Sequence, residues 1–399
     1  MSVAVGRRVA LWRVRRRMTQ QVLADRIGRS KSWVEKVERG VRTLDRFSLI
    51  RQVAEVLRVD PAELTGPDRP SETGGAVDGV AAVRAALASY EVFTAADSGP
   101  AAEQEVTQRV EHGWSTYQHG DYPRLLRMTP RLLDAARRLH ATRPAPGAEL
   151  LVRAYRIIAL VLVKVGEPEL AWLAADRALA VAGGDPVLAG SAAVPLGQAL
   201  RGLGQDRLAM TTTIAAADRI VAASVECGPV YGTLLLQAGL AAAGCGETRS
   251  VDELLGRAAD VAGRIGDGLD YRQASFGPAA VDCARVTAAV DLGDATDAVN
   301  RHATIVRHDG WLRLPAEHRA AYLVDAARAY VDVGDFAAAG RWLVEADRVV
   351  PAEIRCRPSA RTVVAEIAQC GPDTAGVARL ATAIGLTTGT SRRGNLYDP

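Results

Sequence analysis

Lysine is almost absent from this 399-residue sequence, with three residues against 46 arginines. Together with abundant alanine, that imbalance marks a GC-rich bacterial genome rather than a function. No uninterrupted apolar run reaches the ~18 residues that a transmembrane helix needs, so a membrane span is excluded. The opening Met1-Ser2-Val3-Ala4-Val5-Gly6-Arg7-Arg8 has no apolar stretch before a cleavage site, so no secretory signal is expected. The five cysteines are an odd number without a C-x-x-C pair, which points to reduced thiols in a cytosol and away from a disulfide frame or zinc site. Also missing are the G-x-x-x-x-G-K-[ST] phosphate loop, a G-x-G-x-x-G following a strand, H-E-x-x-H and G-x-S-x-G. The six histidines show no ligand spacing on one helix face, and Glu317-His318 is taken as a surface pair at a helix start. Neither an enzyme nor a metal or cofactor is expected.

What is present is an ordinary globular composition, 48% apolar and 24% charged, long enough for two or three domains. The net charge of +3 conceals an asymmetry. Residues 1–70 hold 16 Lys and Arg against 8 Asp and Glu, while residues 71–399 hold 33 against 38. A basic head on a mildly acidic body implies a polyanionic partner for the head. The plainer alternative for Arg7, Arg8, Arg13, Arg15, Arg16 and Arg17 is a solvated basic helix.

In the head, Thr19 is suited to cap a helix through Gln20-Gln21-Val22-Leu23-Ala24-Asp25-Arg26-Ile27, whose Leu23 and Ile27 share a face. Gly28 supplies the left-handed stop. Ser30 caps a second helix, Lys31 to Arg39, with Val34 and Val37 as its apolar stripe and Gly40 as its end. Two short helices joined by about three residues containing Gly form a helix-turn-helix, and Ala24 is the small residue required where they cross. Docked in a major groove, the second helix offers Lys31, Ser32, Glu35 and Lys36 to base edges. Gln20, Arg29, Arg39, Arg42 and Arg46 are the candidates for the DNA backbone. Trp33 either packs on a thymine methyl or sugar or covers the domain core; the lack of an evident partner for a buried indole N–H favours packing. Ile50, Val53, Ala54 and Leu57 recur at helical spacing and close the small core.

The segment from Met18-Thr19-Gln20 to Leu64, including Glu38-Arg39-Gly40 and the closing Phe47-Ser48-Leu49-Ile50…Pro61…Leu64, resembles the Xre/lambda-repressor type of helix-turn-helix domain. The resemblance implies a five-helix DNA-binding domain, assigned to residues 1–66. Gly66 to Gly75 is rich in Pro, Gly and Ser, and 67–75 is taken as a linker. A helical body is assigned to 76–390.

Aligning the glycines of the body exposes a repeat. Gly120, Gly166, Gly204, Gly246, Gly293 and Gly334 are separated by 46, 38, 42, 47 and 41 residues. Seven positions before them stand Gly113, Ala159, Gly197, Gly239, Val286 and Ala327; five after, Leu125, Ala171, Ala209, Val251, Ala298 and Ala339; twelve after, Leu132, Ala178, Ala216, Ala258, Ile305 and Ala346. Mostly small residues at these points let antiparallel helices approach closely. The pattern resembles the tetratricopeptide repeat, most clearly at Ala327, Tyr330, Gly334-Asp335-Phe336, Ala339, Ala346 and Pro351, although the spacing exceeds its usual ~34 residues. The expected fold is therefore all-α: an N-terminal helix-turn-helix domain followed by an α-α superhelix.

Lys31 to Gly40, and Ser275-Phe276-Gly277-Pro278-Ala279-Ala280-Val281 with Leu292-Gly293-Asp294-Ala295, resemble an actinobacterial group that joins an Xre-type domain to a degenerate tetratricopeptide body. That resemblance implies a cytoplasmic, nucleoid-associated transcription regulator that binds double-stranded DNA. A concave repeat surface takes a peptide or small-molecule effector or a protein partner, or mediates dimerisation. Trp114, Tyr117, Tyr155, Trp172, Tyr231 and Tyr271 are among the aromatics able to line it, and Tyr155, Tyr231 and Tyr271 are taken as ligand candidates, although aromatics at helical spacing more often belong to a core. A homodimer is expected, because one recognition helix reads few base pairs and paired half-sites ~34 Å apart extend the reading. The competing class is a protein–protein scaffold tethered to DNA by its helix-turn-helix.

Overall fold

Every regular element of the computed structural model is an α-helix. It describes residues 2–16, 18–39, 47–57, 59, 64, 74–89, 101–221, 227–267, 273–370 and 375–386, and no strand occurs among them. The chain divides into two compact units, Met1–Thr73 and Gly74–Pro399. Of the expected linker, residues 67–73 lie outside the described residues, and Gly74 and Gly75 open a helix.

The first unit contains α1 (Ser2–Arg15), α2 (Gln20–Arg26), α3 (Lys31–Glu38) and α4 (Phe47–Leu57). The sequence positions beyond α4 that would form a fifth helix fall mostly outside the described residues. Leu23, Ala24, Val34, Val37, Val53, Leu57 and Leu64 form its buried centre. α1 crosses α3 at Gly6, where any Cβ would run into the Val37 carbonyl, so only glycine permits that approach.

The second unit begins with α5 (Gly74–Ala88) and continues as helical hairpins. These are α6 (Glu103–Gln118) with α7 (Tyr122–Thr142), α8 (Pro144–Lys164) with α9 (Pro168–Ala182), and α10 (Pro186–Gly202) with α11 (Asp206–Val221). Then come α12 (Gly228–Cys245) with α13 (Thr248–Ile265), α14 (Pro278–Leu292) with α15 (Ala295–Ile305), and, after the short α16 (Asp309–Arg313), α17 (Ala316–Asp332) with α18 (Phe336–Val349). α19 (Pro351–Cys356), α20 (Pro358–Cys370) and α21 (Ala375–Ala383) close the stack.

One local motif makes all six turns. The six aligned glycines have φ between 70° and 89°. The amide that follows each donates to the carbonyl five residues back: Asp121 to Thr116, Glu167 to Leu162, Gln205 to Leu200, Glu247 to Ala242, Asp294 to Ala289 and Asp335 to Tyr330, at 2.8–3.1 Å. This closure satisfies the last helical carbonyls, and its left-handed residue favours glycine. Asp121, Asp294 and Asp335 then accept from the third amide beyond them, at 3.2, 3.0 and 2.9 Å, and so start the next helix at once. The register positions flanking the glycines are buried throughout, except for half-buried Ala216. Spacing beyond the usual repeat arises from long helices, 21 residues each in α7 and α8, and from the 266–277 segment between α13 and α14.

The first and last hairpins meet through buried charge. Lys164 Nζ lies 2.8 Å from Glu317 and 2.7 Å from Glu353, and the Tyr122 hydroxyl donates to Glu353. Arg357 reaches Asp325 at 3.0 Å and Glu353 at 3.6 Å. Burial alone lowers the pKa of Lys164; Glu317 and Glu353 outweigh it and hold the ammonium above its ordinary value. Glu317 is therefore not a surface residue: it is buried and neutralised by Lys164, which corrects the expectation drawn from its place at a helix start. Removing one partner of a buried pair strands the others. Lys164→Met is expected to cost about 3–5 kcal/mol in urea unfolding, and a loss under about 1 kcal/mol would contradict the clasp.

His302 is fully buried among Tyr322, Tyr330 and Trp342, with Nδ1 2.8 Å from the Tyr322 hydroxyl. Burial lowers its pKa to about 4. Between pH ~6.5 and ~4 the unfolded chain binds a proton that the folded chain excludes, so stability falls as pH drops through that window. The full shift corresponds to about 3 kcal/mol. From pH 7 to pH 4 the wild type should lose about that much more stability than His302→Gln; equal losses in calorimetry would refute the assignment.

Candidate nucleic-acid interface

α2 and α3 are set by their caps. The Thr19 hydroxyl accepts from the Val22 amide at 3.2 Å, and the Ser30 hydroxyl accepts from the Trp33 amide at 3.1 Å. Between them Gly28 adopts φ +65°, and the Arg29 amide donates to the Ala24 carbonyl at 2.9 Å. The turn thus uses the same closure as the repeat hairpins and directs α3 across α2.

α3 has two faces. Trp33, Val34 and Val37 are buried, whereas Lys31, Ser32, Glu35 and Lys36 are all exposed. At 3.6 residues per turn the four exposed residues fall within an arc of about 140°. Two cations, a hydroxyl and a carboxylate thus share a solvent-facing strip that runs from the first turn of the helix to its last. Glu35 Oε1 lies 3.5 Å from Arg39 Nη1, so the strip carries its own exposed ion pair. Trp33 covers the domain core, with the exposed Arg29 guanidinium 5.9 Å from its ring centre. Arg42 and Arg46 lie outside the described residues.

Glu38 holds this arrangement together, and sequence reasoning missed it. Its carboxylate accepts from Arg13 Nε at 2.5 Å and Nη2 at 2.9 Å, and from Gln20 Nε2 at 2.8 Å. Arg13 also donates to the Met18 carbonyl at 2.8 Å. The hydrogen bond to Glu38 raises the Arg13 pKa against the opposing effect of burial. The partners stand 18 and 25 positions away, so no local pattern announces them. The basic first helix is accordingly not simply solvated: Arg8 donates to the Leu64 carbonyl at 3.3 Å and Arg16 to the Leu57 carbonyl at 2.9 Å. Gln20, expected on a phosphate, has its amide nitrogen on Glu38.

In the second unit, Tyr155 is packed in the core and accepts from Arg137 Nε at 3.1 Å. Tyr231 is half-buried and accepts from Arg257 at 2.8 Å. Tyr271 lies outside the described residues. Two cavities open in this unit, of about 110 and 280 Å³, and neither Tyr155 nor Tyr231 lines them. Trp114, Tyr117 and Arg156 line the smaller one instead. Among the described residues, no His, Cys, Asp and Glu group is placed to hold a metal, and no helix is long and apolar enough to cross a membrane.

These features define a helix-turn-helix domain joined to a unit of stacked helical hairpins. Residues 4–65 match the family described as a helix-turn-helix domain. No curated protein matches the sequence. The chain is similar to a Rap protein solved with Competence and Sporulation Factor (10% identity, 96% of this chain and 97% of that one, TM-score 0.47). It is also similar to aspartyl phosphate phosphatase F from Bacillus subtilis (12% identity, 88% and 94%, TM-score 0.45). A third similar structure is Bacillus thuringiensis PlcR in complex with the peptide PapR7 and DNA (11% identity, 66% and 95%, TM-score 0.31).

Removing the Glu38 carboxylate leaves the largely buried Arg13 without its charged acceptor. Glu38→Ala should destabilise the helix-turn-helix unit by about 2 kcal/mol. In the full chain this appears as faster hydrogen exchange of the α3 amides with α12 unchanged; unchanged α3 exchange would show that Glu38 does not brace the helix.

Proposed function

We propose that this protein is a sequence-specific DNA-binding transcription regulator of the Xre type whose repeat unit dimerises and senses an effector. The observation that carries the reading is the exposed strip Lys31, Ser32, Glu35 and Lys36, backed by buried Trp33, Val34 and Val37, on the second helix of a matched helix-turn-helix domain. In a major groove, Lys31 and Lys36 donate to guanine O6 or N7, Glu35 accepts from cytosine N4, and Ser32 serves either role. Arg29, Arg39, Arg42 and Arg46 lie beside phosphates, and Gln20 contributes there through the start of α2. Glu35 exchanges its exposed partner Arg39 for the base, which frees Arg39 for the backbone. Such exposed pairs contribute only about 0–1 kcal/mol, so the exchange is cheap.

One such helix covers only a few base pairs, and a two-fold pair of units extends the site. The cavities of the second unit provide the place for an effector, and the site of action is the nucleoid in the cytoplasm.

The test is a mobility-shift titration of a duplex selected from a random library. Lys31→Ala combined with Lys36→Ala should weaken binding by roughly 100-fold or more, given ~1–3 kcal/mol per base contact. The slope of log affinity against log salt should also shrink. Undiminished binding by the double variant would reject this face as the reader.

A further inference from the structure

The two cavities of the second unit adjoin, sharing Gln118 and Ser275. The smaller one is walled by four glutamines, Gln118, Gln198, Gln237 and Gln273, which come from α6, α10, α12 and the segment after α13. In that wall Trp114 Nε1, a donor, and Gln237 Oε1, an acceptor, are buried with no hydrogen-bond partner. Their residues are 3% and 8% exposed. Each orphan costs about 1–3 kcal/mol, and buried polar groups in native proteins are nearly always paired. The larger cavity takes an apolar wall from Phe276, Leu314, Pro315 and Ala316.

The segment at the junction is strained. Gln273 and Ser275 adopt φ of +52° and +49°, in the left-handed region that glycine favours. Each costs on the order of 1–3 kcal/mol, and such strain clusters at ligand sites. The segment is nonetheless pinned. The Phe276 ring lies on Gly232 of α12, where any Cβ would strike it, and the Thr233 hydroxyl, 2.8 Å from the Pro229 carbonyl, shares its hydrogen with the Ala274 carbonyl at 3.3 Å. This gives a role to the Ser275-Phe276-Gly277-Pro278 run, which the DNA-binding reading leaves unused.

Charge selects the ligand. Glu317, on the same wall, already holds the Lys164 ammonium at 2.8 Å, and the Arg156 guanidinium lies 5.1 Å from the Trp114 ring centre. An ammonium has no lone pair for the Trp114 N–H and would meet Arg156, and a carboxylate has no hydrogen for Gln237 Oε1. A neutral amide avoids both: its carbonyl accepts from Trp114 and its N–H donates to Gln237. Together the cavities reach the low end of the roughly 300–1,000 Å³ typical of small-molecule sites.

We propose that the two cavities form one site for a small, uncharged amphiphilic amide, with the amide group between Trp114 and Gln237 and an apolar portion against Phe276 and Leu314. The proposal rests on the reading of the repeat unit as a sensor. The chemistry belongs equally to an acylated amide and to a short capped apolar peptide.

Calorimetric titration of the full chain distinguishes these sources with three probes: N-octanoylglycinamide, N-acetyl-leucyl-phenylalaninamide, and methyl octanoate, which has no amide. At least one amide should bind saturably, the tighter one naming the source, and the ester should not bind. Gln237→Leu should weaken amide binding roughly tenfold while keeping or raising the melting temperature, because it removes an orphan. Gln198→Ala, at a half-buried position, should weaken it in the same direction and guards against a folding defect in the first variant. No binding of either amide at millimolar concentration, ester binding as tight as amide binding, or wild-type affinity in both variants would overturn the proposal. A cavity holding only water would give the first of these results. Retained DNA binding beside such a failure would sink this inference alone, whereas loss of DNA binding would sink the reading beneath it.

Discussion

A helix that ends on a left-handed glycine, with the next amide bonded five residues back, is the constraint on which both units depend. It recurs at Gly28 and at the six repeat glycines. The closure satisfies carbonyls that would otherwise be orphaned, and it reverses the chain within about three residues. At Gly28 it places α3 across α2 with one face free. In the second unit it sets each pair of helices antiparallel in the same register. Any side chain at these glycines meets backbone strain, and at Gly166 it also meets Pro358.

Given that closure, small residues determine how closely the helices stack. Ala159, Ala171, Ala178, Ala327, Ala339 and Ala346 are fully buried at the crossings, where they let the backbones approach closely. The stacking brings α6 against α17, far apart in sequence, and the Lys164, Glu317 and Glu353 cluster joins the first hairpins to the last. Such buried ion clusters add little net stability compared with an apolar core, but they penalise any arrangement that separates their members. Tyr117 and Glu317 reach both the clasp and the smaller cavity.

What the sequence made legible was whatever is written locally. The caps at Thr19 and Ser30, the stop at Gly28, the two faces of α3 and the glycine register all follow from neighbours within a turn or two, and all appear in the structure. Contacts across long separations were not legible. Glu38 with Arg13, and Lys164 with Glu353 189 residues away, become visible only when the fold brings them together. Trp33 was expected to pack on a thymine methyl or sugar because no partner for a buried indole N–H was evident; its burial in the core corrects that expectation. Tyr155 fell among the groove candidates because aromaticity alone does not indicate which side of a helix faces a neighbour; its place in the core beside Arg137 depends on a hairpin partner.

The scarcity of lysine permits a direct test of the central claim, that the exposed strip of α3 faces DNA. The chain has three lysines, of which Lys31 and Lys36 are exposed on that strip and Lys164 is buried in the clasp. Amine-reactive labelling of the full chain, read by mass spectrometry with and without a bound duplex, should modify Lys31 and Lys36 in the free protein and spare both in the complex. Lys164 should remain unmodified in either state. Equal labelling of Lys31 and Lys36 in the free and the DNA-bound protein would contradict the account.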